Sequence, residues 1–183
     1  MRAGLSVALV GLVVCVGCGP SKEEEEAIAA IKALGGKFEV ARPREFDELP
    51  EMLGTMVLEY PSGPDVTDAQ LVHLKRLPKI EILILINTNI TDAGLVHLKG
   101  LTNLQVLVLN GNRITDAGLV HLKGLTKLKW LFLPNTWITD AGLVHLKGLS
   151  SLKKLILNDS FAKVTDAGVK QLQQALPNCK IYR

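Results

Sequence analysis

The chain has 183 residues, enough for one domain of ordinary size and a short appendage. Its 21 basic and 18 acidic residues leave a formal net charge of +3, and an excess this small and dispersed argues against nucleic acid as a partner. Leucine, valine and isoleucine supply most of the apolar content, whereas aromatic residues make up only 4%. Such a composition suits a narrow core built from many small contributions.

The N-terminus has the pattern of an export signal. Arg2 is followed by a largely apolar segment without charges at 3–17, and this segment is shorter than the roughly 20 residues that a membrane-spanning helix needs. The sequence CVGC at 15–18 resembles a bacterial lipobox, although Cys15 stands where the pattern usually has leucine. The resemblance implies a signal peptide at 1–17, acylation of Cys18 and attachment to the bacterial envelope. Plain secretion and a retained N-terminal anchor are the alternatives.

The third cysteine, Cys179, would have no disulfide partner once Cys15 is removed and Cys18 is acylated. We therefore expect it to be a small buried apolar residue near the C-terminus.

Between the signal and the first strand, residues 18–26 read as a solvated tether because they contain four consecutive glutamates. Apolar residues at helical spacing from Glu23 to Leu34, followed by two glycines, predict a short amphipathic helix. Alternation around Phe38 predicts a short strand. We assign residues 27–54 to an N-terminal cap, helix plus short strand, and expect the strand at 55–60 to begin a stack.

The rest of the chain is repetitive. ITDAGLVHLKGL occurs unchanged at 90–101, 114–125 and 138–149, with VTDAQLVHLKRL at 66–77. A 24-residue period of this kind predicts a solenoid whose units bury their apolar faces against each other. Within one unit, Leu107 and Leu109 have strand spacing, Leu119 and Leu122 have helical spacing, and Ala117 is expected to face inward. Since helices are wider than strands, the stack should bend into an arc with strands on its concave face.

These residues resemble the leucine-rich repeat family, whose pattern LxxLxLxxN is present as LQVLVLNGN at 104–112. The ITDAGL segment resembles a subclass that is common in bacterial proteins and is shared with some F-box proteins. The resemblance implies an α/β leucine-rich repeat solenoid, a curved right-handed arc with parallel strands inside and short helices outside, over residues 55–183. Repeats start near 66, 90, 114, 138 and 164.

Asn112 has Thr88, Thr136 and Ser160 as its equivalents, and their hydroxyls are expected to bond neighbouring backbone groups. An insertion of two residues lies near 159–163, and the last strand is expected to cap the C-terminal end.

Comparison of the repeats divides each unit into two halves. Residues 114–125 and 138–149 are identical, whereas 102–113 and 126–137 differ at eight of twelve positions. The strand half is therefore the variable one, and its side chains that alternate with the core leucines should point out of the concave face. These twelve positions, nine of them apolar, are Ile82, Ile84, Ile86, Val106, Val108, Asn110, Trp130, Phe132, Pro134, Lys154, Ile156 and Asn158.

A contiguous exposed apolar patch indicates a binding surface, and Trp130 beside Phe132 is typical of an interface anchor. We predict that a protein or peptide partner contacts Ile82, Ile84, Val106, Val108, Asn110, Trp130, Phe132, Lys154, Ile156 and Asn158. Two alternatives stay open: the chain's own N-terminal segment or a second copy covers this face, or the strand register is different.

Other columns repeat along the stack. The four histidines, His73, His97, His121 and His145, share one repeat position and are explained by duplication better than by metal binding. Aspartates near the helix starts suit the helix dipole. Since no catalytic motif is present, we predict a non-enzymatic interaction module, lipid-anchored in the envelope, without cofactor. The alternatives are a self-associating structural envelope protein, and glycan or polyanion binding on the column of Lys75, Lys99, Lys123 and Lys147.

Overall fold

The structure is a computed structural model that describes residues 21–33, 37–39, 57–60, 63–158, 161 and 163–183. The expected signal peptide, Cys18, Ser160 and residues 34–36 and 40–54 of the expected cap lie outside the described residues. Within the described ranges, no helix combines the length and the apolar character needed to cross a membrane.

A seven-stranded sheet organises the molecule. Its strands in spatial order are β1 (Lys37–Glu39), β2 (Val57–Tyr60), β4 (Ile82–Leu85), β6 (Val106–Val108), β7 (Trp130–Phe132), β8 (Lys154–Ile156) and β9 (Lys180–Tyr182). Only β1 is antiparallel to its neighbour, and every later pair is parallel. A separate two-stranded sheet joins β3 (Gly63–Thr67) to β5 (Thr88–Asn89). The predicted strand of the cap, the strand that begins the stack and the terminal strand correspond to β1, β2 and β9.

Each repeated segment forms one helical turn that continues into a 3₁₀ turn. The first copy forms a 3₁₀ helix, Asp68–Arg76; the next three form α2 (Asp92–Leu95), α3 (Asp116–Leu119) and α4 (Asp140–Leu143) with 3₁₀ turns at Val96–Leu98, Val120–Leu122 and Val144–Leu146. The last unit forms a longer helix, α5 (Asp166–Ala175). Threonine begins these helices as N-cap because its hydroxyl accepts a backbone N–H of the first turn, for example Ala117 N to Thr115 Oγ1 at 3.3 Å.

The N-terminal helix, α1 (Lys22–Ala33), packs Ala27 and Ile31 into the core against the Asp68–Arg76 helix. Its first turn is closed by Ser21, whose hydroxyl accepts the Glu24 N–H while the Glu24 carboxylate accepts the Ser21 N–H. The helix therefore begins inside the segment assigned to the tether. The boundary placed between residues 26 and 27 is wrong, because the consecutive glutamates occupy the first helical turn, where acidic side chains are favoured.

The core lies between the sheet and the helices. Alternate strand residues such as Leu107 and Leu109 pack there against Leu119 and Leu122, all fully buried. Asn112 is 2% exposed, and its amide donates to the carbonyls of Leu85 (2.7 Å) and Leu109 (3.1 Å). Where threonine replaces asparagine, Thr136 donates its hydroxyl to the Leu133 carbonyl at 2.6 Å. The expectation that hydroxyls bond neighbouring backbone is confirmed at this position.

One inward assignment is wrong. Ala117 is exposed, and the buried residue is its neighbour Gly118. A Cβ on Gly118 would lie 2.3 Å from the Asp92 Oδ1 of the preceding unit. Helical spacing alone identifies the buried stripe but does not reveal that glycine is buried there to make room for a neighbour's carboxylate.

Candidate partner-binding face

The sheet face turned away from the helices, called here the concave face, carries side chains in rows. The parallel register aligns Ile82, Val106, Trp130 and Lys154 in one row, and Ile84, Val108, Phe132 and Ile156 in the next. Strand alternation places both rows on the side opposite the core leucines. These side chains form a second apolar cluster, separate from the core, that consists of buried Ile82, Ile84, Val106, Val108 and Phe132 with half-buried Ile86, Trp130 and Ile156 packed against them.

The expected exposure of this face is wrong for its centre. Ile84 and Val108 are at most 1% exposed, and Phe132 is 6% exposed. Neighbouring strands about 4.8 Å apart let these side chains cover each other's flanks. This burial is a property of the single chain, so it is not evidence that a second copy covers the face. Phe132 consequently contributes to packing, and its truncation would leave a cavity.

Accessible groups surround this buried centre. Lys154 Nζ lies 5.3 Å from the ring centroid of Trp130 and 5.3 Å from that of Tyr182, so the ammonium is positioned over both aromatic rings. Trp130 also contacts Phe132, with ring centroids 6.3 Å apart and planes tilted by 45°. Cation–π contacts of this kind stabilise the arrangement by roughly 0.5–1 kcal/mol each at exposed sites. The result is an ordered aromatic and basic border along β7, β8 and β9.

Tyr182 is a member of this border that the sequence reasoning missed. It aligns with Ile156 across β8 and β9 and is 44% exposed. Strand alternation around Ile181, which packs against the core, could have placed Tyr182 on the concave face. Asn158, which was predicted as a contact residue, is exposed, whereas Asn110 and Pro134 are half-buried.

A second aromatic pair lies away from the concave face. Trp137 and Phe161 stack with ring centroids 5.0 Å apart and planes 27° from parallel, and they are 51% and 63% exposed. The Phe161 N–H donates to the Thr136 carbonyl at 2.9 Å, so the insertion in the last unit brings Phe161 onto Trp137. Neither residue was predicted as functional.

The aspartate column joins consecutive units. Asp92 Oδ1 accepts the Thr115 N–H at 2.8 Å, and Asp92 Oδ2 accepts the Thr115 hydroxyl at 2.6 Å. The same pair of bonds links Asp68 to Thr91, Asp116 to Thr139 and Asp140 to Thr165. The hydrogen bonds to Thr165 hold the pKa of Asp140 below its ordinary value. We call this series the Thr–Asp ladder; it assigns the aspartates to the scaffold in a way that the helix dipole alone did not predict.

Other residues complete the Thr–Asp ladder at its two ends. At the first unit glutamine replaces the repeated glycine, and Gln70 Oε1 accepts both the N–H (2.9 Å) and the hydroxyl (2.7 Å) of Thr67. Gln70 thus substitutes for the aspartate that a preceding unit would supply. At the last unit Arg183 pairs with Asp166.

The histidine column is half-buried. Burial is the largest cause that lowers the pKa of His97 and of His121, and the lysine of the preceding unit lowers it further while the aspartate there raises it. The Nδ1 atoms of both residues are buried without a hydrogen-bond partner. Among the described side chains, no three histidine, cysteine, aspartate or glutamate residues lie close enough to hold a metal ion.

Cys179 is 3% exposed in the core, as predicted. Burial raises the pKa of its thiol to about 11. Since the thiolate is the reactive form, this cysteine is chemically inert at neutral pH.

Comparisons with known proteins agree with the fold. Residues 78–138 match a leucine rich repeat family model. A crystal structure of an internalin from Listeria monocytogenes is 27% identical with a TM-score of 0.52, over 61% of this chain and 30% of that one. The leucine-rich repeat ectodomain of a receptor kinase from Arabidopsis thaliana is 15% identical with a TM-score of 0.50, over 88% and 90% of the two chains.

A leucine-rich repeat protein from Leptospira interrogans is 22% identical with a TM-score of 0.48, over 68% of this chain and 29% of that one. The chain therefore spans about 30% of the length of the Listeria and Leptospira proteins. A search of curated proteins found no match. The 24-residue period, the parallel sheet, the family-model match and the likeness to the Listeria internalin identify the chain as a protein of the leucine-rich repeat fold.

Proposed function

We propose that this chain is an exported, lipid-anchored interaction module that holds a protein or peptide partner on its concave face. Leucine-rich repeat proteins generally act as protein–protein interaction modules, and one similar structure is the ectodomain of a receptor kinase. The proposal includes the finer assignments made from the sequence: membership of the bacterial ITDAGL subclass, acylation of Cys18 and the absence of an enzymatic activity.

The apolar cluster on the concave face carries this proposal. The solenoid already has a continuous core between sheet and helices, so a second cluster on the opposite face of the same strands is not needed to close the repeat. Accessible apolar side chains beyond those that a fold needs for its core mark a contact surface, and the half-buried members of this cluster are Ile86, Trp130 and Ile156. The varied strand halves supply this cluster, whereas the repeated halves supply the scaffold.

The chemistry of the border defines the partner's contact group. Trp130, Lys154 and Tyr182 combine two aromatic rings with one ammonium on adjacent strands. Such a site suits an apolar side chain flanked by a carboxylate, since the rings supply apolar area and Lys154 supplies the charge. The buried Val108, Phe132 and Ile84 act as the floor that holds this border in place.

Photo-crosslinking tests the proposal. A photoreactive phenylalanine analogue replaces Tyr182 in one variant and Phe161 in another, and both are expressed in the native envelope. Both sites are exposed aromatics, at 44% and 63%, but only Tyr182 belongs to the concave face. We expect a discrete adduct from position 182, reduced by Trp130→Ala and unchanged by Trp137→Ala. Equal adducts from both positions, or none from position 182, would contradict the proposal.

Self-association is the second candidate, because the half-buried Trp130 and the exposed Tyr182 offer apolar surface to a second copy as well as to a different protein. Sedimentation of the purified protein separates the two functions. A dimer that dissociates on Trp130→Ala supports self-association, whereas a concentration-independent monomer that still gives a heterologous adduct supports partner capture.

A further inference from the structure

One edge of the solenoid is strongly basic. The parallel strands all start at this edge, and the backbone N–H groups of Gln105, Lys129 and Lys153 each bond the equivalent carbonyl of the preceding unit at 2.7–2.8 Å. The residues just before each strand therefore form one continuous edge of the sheet, which we call the strand-start edge. The helical segments run back toward the same edge, so their C-terminal lysines also end there.

Charge is distributed unevenly between the two edges. In the three units after the first, the strand-start edge carries Lys99, Lys123 and Lys147 at the ends of the 3₁₀ turns and Lys127, Lys129 and Lys153 in the turns that enter the strands. Residues 99–105, 123–129 and 147–154 contain no acidic residue. The opposite edge carries the aspartates of the Thr–Asp ladder. Within these three units the basic and acidic side chains are thus separated along the strands, although the net charge of the chain is only +3.

Scaffold requirements explain only part of this basic edge. Lysines at helix C-termini suit the helix dipole, which accounts for Lys99, Lys123 and Lys147. Lys127 and Lys129 are not in helices, and their Nζ atoms donate to the amide oxygens of Asn103 (2.7 Å) and Gln105 (2.6 Å). Among the described residues neither lysine forms an ion pair with a carboxylate, although Glu81, at the same edge, accepts a hydrogen bond from the Gln105 amide.

The N-terminal end of the described chain lies at the same edge. Lys79 Nζ lies 3.2 Å from Glu24 Oε1, and Arg76 lies 3.8 Å from Glu26. The start of α1 is thereby attached to the turn that enters β4, and its glutamates compensate the bases of the first unit. Cys18 precedes Ser21 by only three residues, so a lipid on Cys18 would be attached close to the strand-start edge.

We propose that the strand-start edge lies against an anionic phospholipid surface, with Lys127, Lys129 and Lys153 facing the headgroups. This orientation rests on the proposed lipid anchor for its biological setting, but the charge pattern that carries it does not depend on acylation. Lysines near an anionic bilayer strengthen binding by about fivefold each. The strands are then roughly perpendicular to the membrane surface, outside the bilayer. The concave face points sideways and stays accessible to a partner.

Vesicle co-sedimentation tests the proposal with the full chain carrying Cys18→Ser, so that no acyl group contributes. Binding is compared between vesicles of phosphatidylcholine alone and vesicles that also contain phosphatidylglycerol. The apolar residues 3–17 contribute equally to binding in both cases, so they do not affect the difference. We expect tighter binding to the phosphatidylglycerol vesicles at low salt and loss of this difference at high salt. A chain that does not distinguish the two compositions would overturn the proposal.

Two matched triple variants distinguish the effect of charge at the strand-start edge from the effect of net charge on vesicle binding. Lys127→Glu, Lys129→Glu and Lys153→Glu together should weaken binding to phosphatidylglycerol vesicles on the order of a hundredfold. The control triple, Arg113→Glu, Lys163→Glu and Lys170→Glu, makes the same change in charge near the opposite edge and should bind nearly as wild type. Equal losses in both triples would refute the assignment to one edge. If the first triple does not fold, the corresponding Lys→Gln triple replaces it.

The two tryptophans report orientation. Trp130 begins β7 near the strand-start edge, whereas Trp137 lies past its other end. With a dansyl acceptor on the lipid headgroups, energy transfer should be stronger from Trp130, measured in Trp137→Phe, than from Trp137, measured in Trp130→Phe. The reverse order would overturn the orientation.

Binding of a free sulfated polysaccharide as tightly as the anionic vesicles would instead favour the glycan alternative. Metabolic labelling of Cys18 tests the anchor separately.

Discussion

Gly118→Ala reverses the usual sign of a glycine replacement in a helix. In α3 an ordinary Gly→Ala change stabilises by about 1 kcal/mol, because alanine has the higher helix propensity. At this position, however, the new Cβ would lie 2.3 Å from Asp92 Oδ1 and 3.0 Å from Leu95 Cδ1. The carboxylate must therefore move, and it cannot move freely because two hydrogen bonds hold it to Thr115.

The expected loss follows from those two bonds. Hydrogen bonds to charged groups contribute about 1.5–3 kcal/mol each, and we take about 1.5 kcal/mol for each because Asp92 is only half-buried. Loss of both, offset by the gain in helix propensity, destabilises the protein by about 2 kcal/mol. For a domain of 150–250 residues this lowers the Tm by roughly 4–8 °C.

Thermal and urea unfolding of paired variants measure the effect. Gly124→Ala is the matched control, since nothing lies within 4 Å of its Cβ position and its φ is not positive; it should be neutral or stabilise by a few tenths of a kcal/mol. In a protein that already carries Asp92→Ala, Gly118→Ala should become stabilising. If Gly118→Ala raises the Tm of the otherwise wild-type protein, the reasoning about the ladder is refuted.

Three further predictions follow from the end cap, the histidines and the buried thiol. Gln70→Gly should speed hydrogen exchange at the Thr67 amide and destabilise by about 1–2 kcal/mol, while protection of the Thr115 amide, measured by NMR, stays unchanged; equal loss at both would contradict the capping role. Because burial lowers the pKa of His97 and His121 below the ordinary value of 6.5, the native state binds fewer protons than the unfolded state just below that pH. Stability should therefore decline as pH falls through 6.5 and be flat above it, and His97→Gln with His121→Gln should flatten the mildly acidic part of the curve in thermal melts; an unchanged slope would exclude these histidines. In a chain with Cys15→Ser and Cys18→Ser, Cys179 should react with a chromogenic disulfide reagent at pH 8 only after denaturant is added, and fast reaction of the folded protein would show that the thiol is accessible to solvent.

The sequence predicted the repeat architecture because each unit has its own local pattern. Leu107 and Leu109 two residues apart, and Leu119 and Leu122 three apart, are enough to place a strand and a helix in every unit and to assign the concave rows. The helix α1 was predicted to within a residue at each end. These features depend on neighbouring positions along the chain, which a single sequence displays directly.

Other features depend on contacts between units and could not be predicted in that way. The link from Asp92 to Thr115 spans 23 residues, and the burial of Gly118 follows from it rather than from any apolar character. Likewise, alternation assigns Val108 to the concave face but does not determine its exposure, which depends on the size of its neighbours and on what lies above them. Trp137 acquires its aromatic partner from an insertion one unit later.

The ladder also explains why one half of each repeat is constant. Every internal unit must present a threonine to the preceding aspartate, an aspartate to the following threonine, and a glycine that leaves room for the preceding carboxylate. A change at any of these three positions affects the contacts of two units, so the threonine, aspartate and glycine of the TDAG segment are constrained in every internal copy. Strand side chains on the concave face form no bond that must be repeated in this way. The stack therefore tolerates Val106 in one unit, Trp130 in the next and Lys154 in the third, and this freedom allows a distinct surface to develop on a repetitive scaffold.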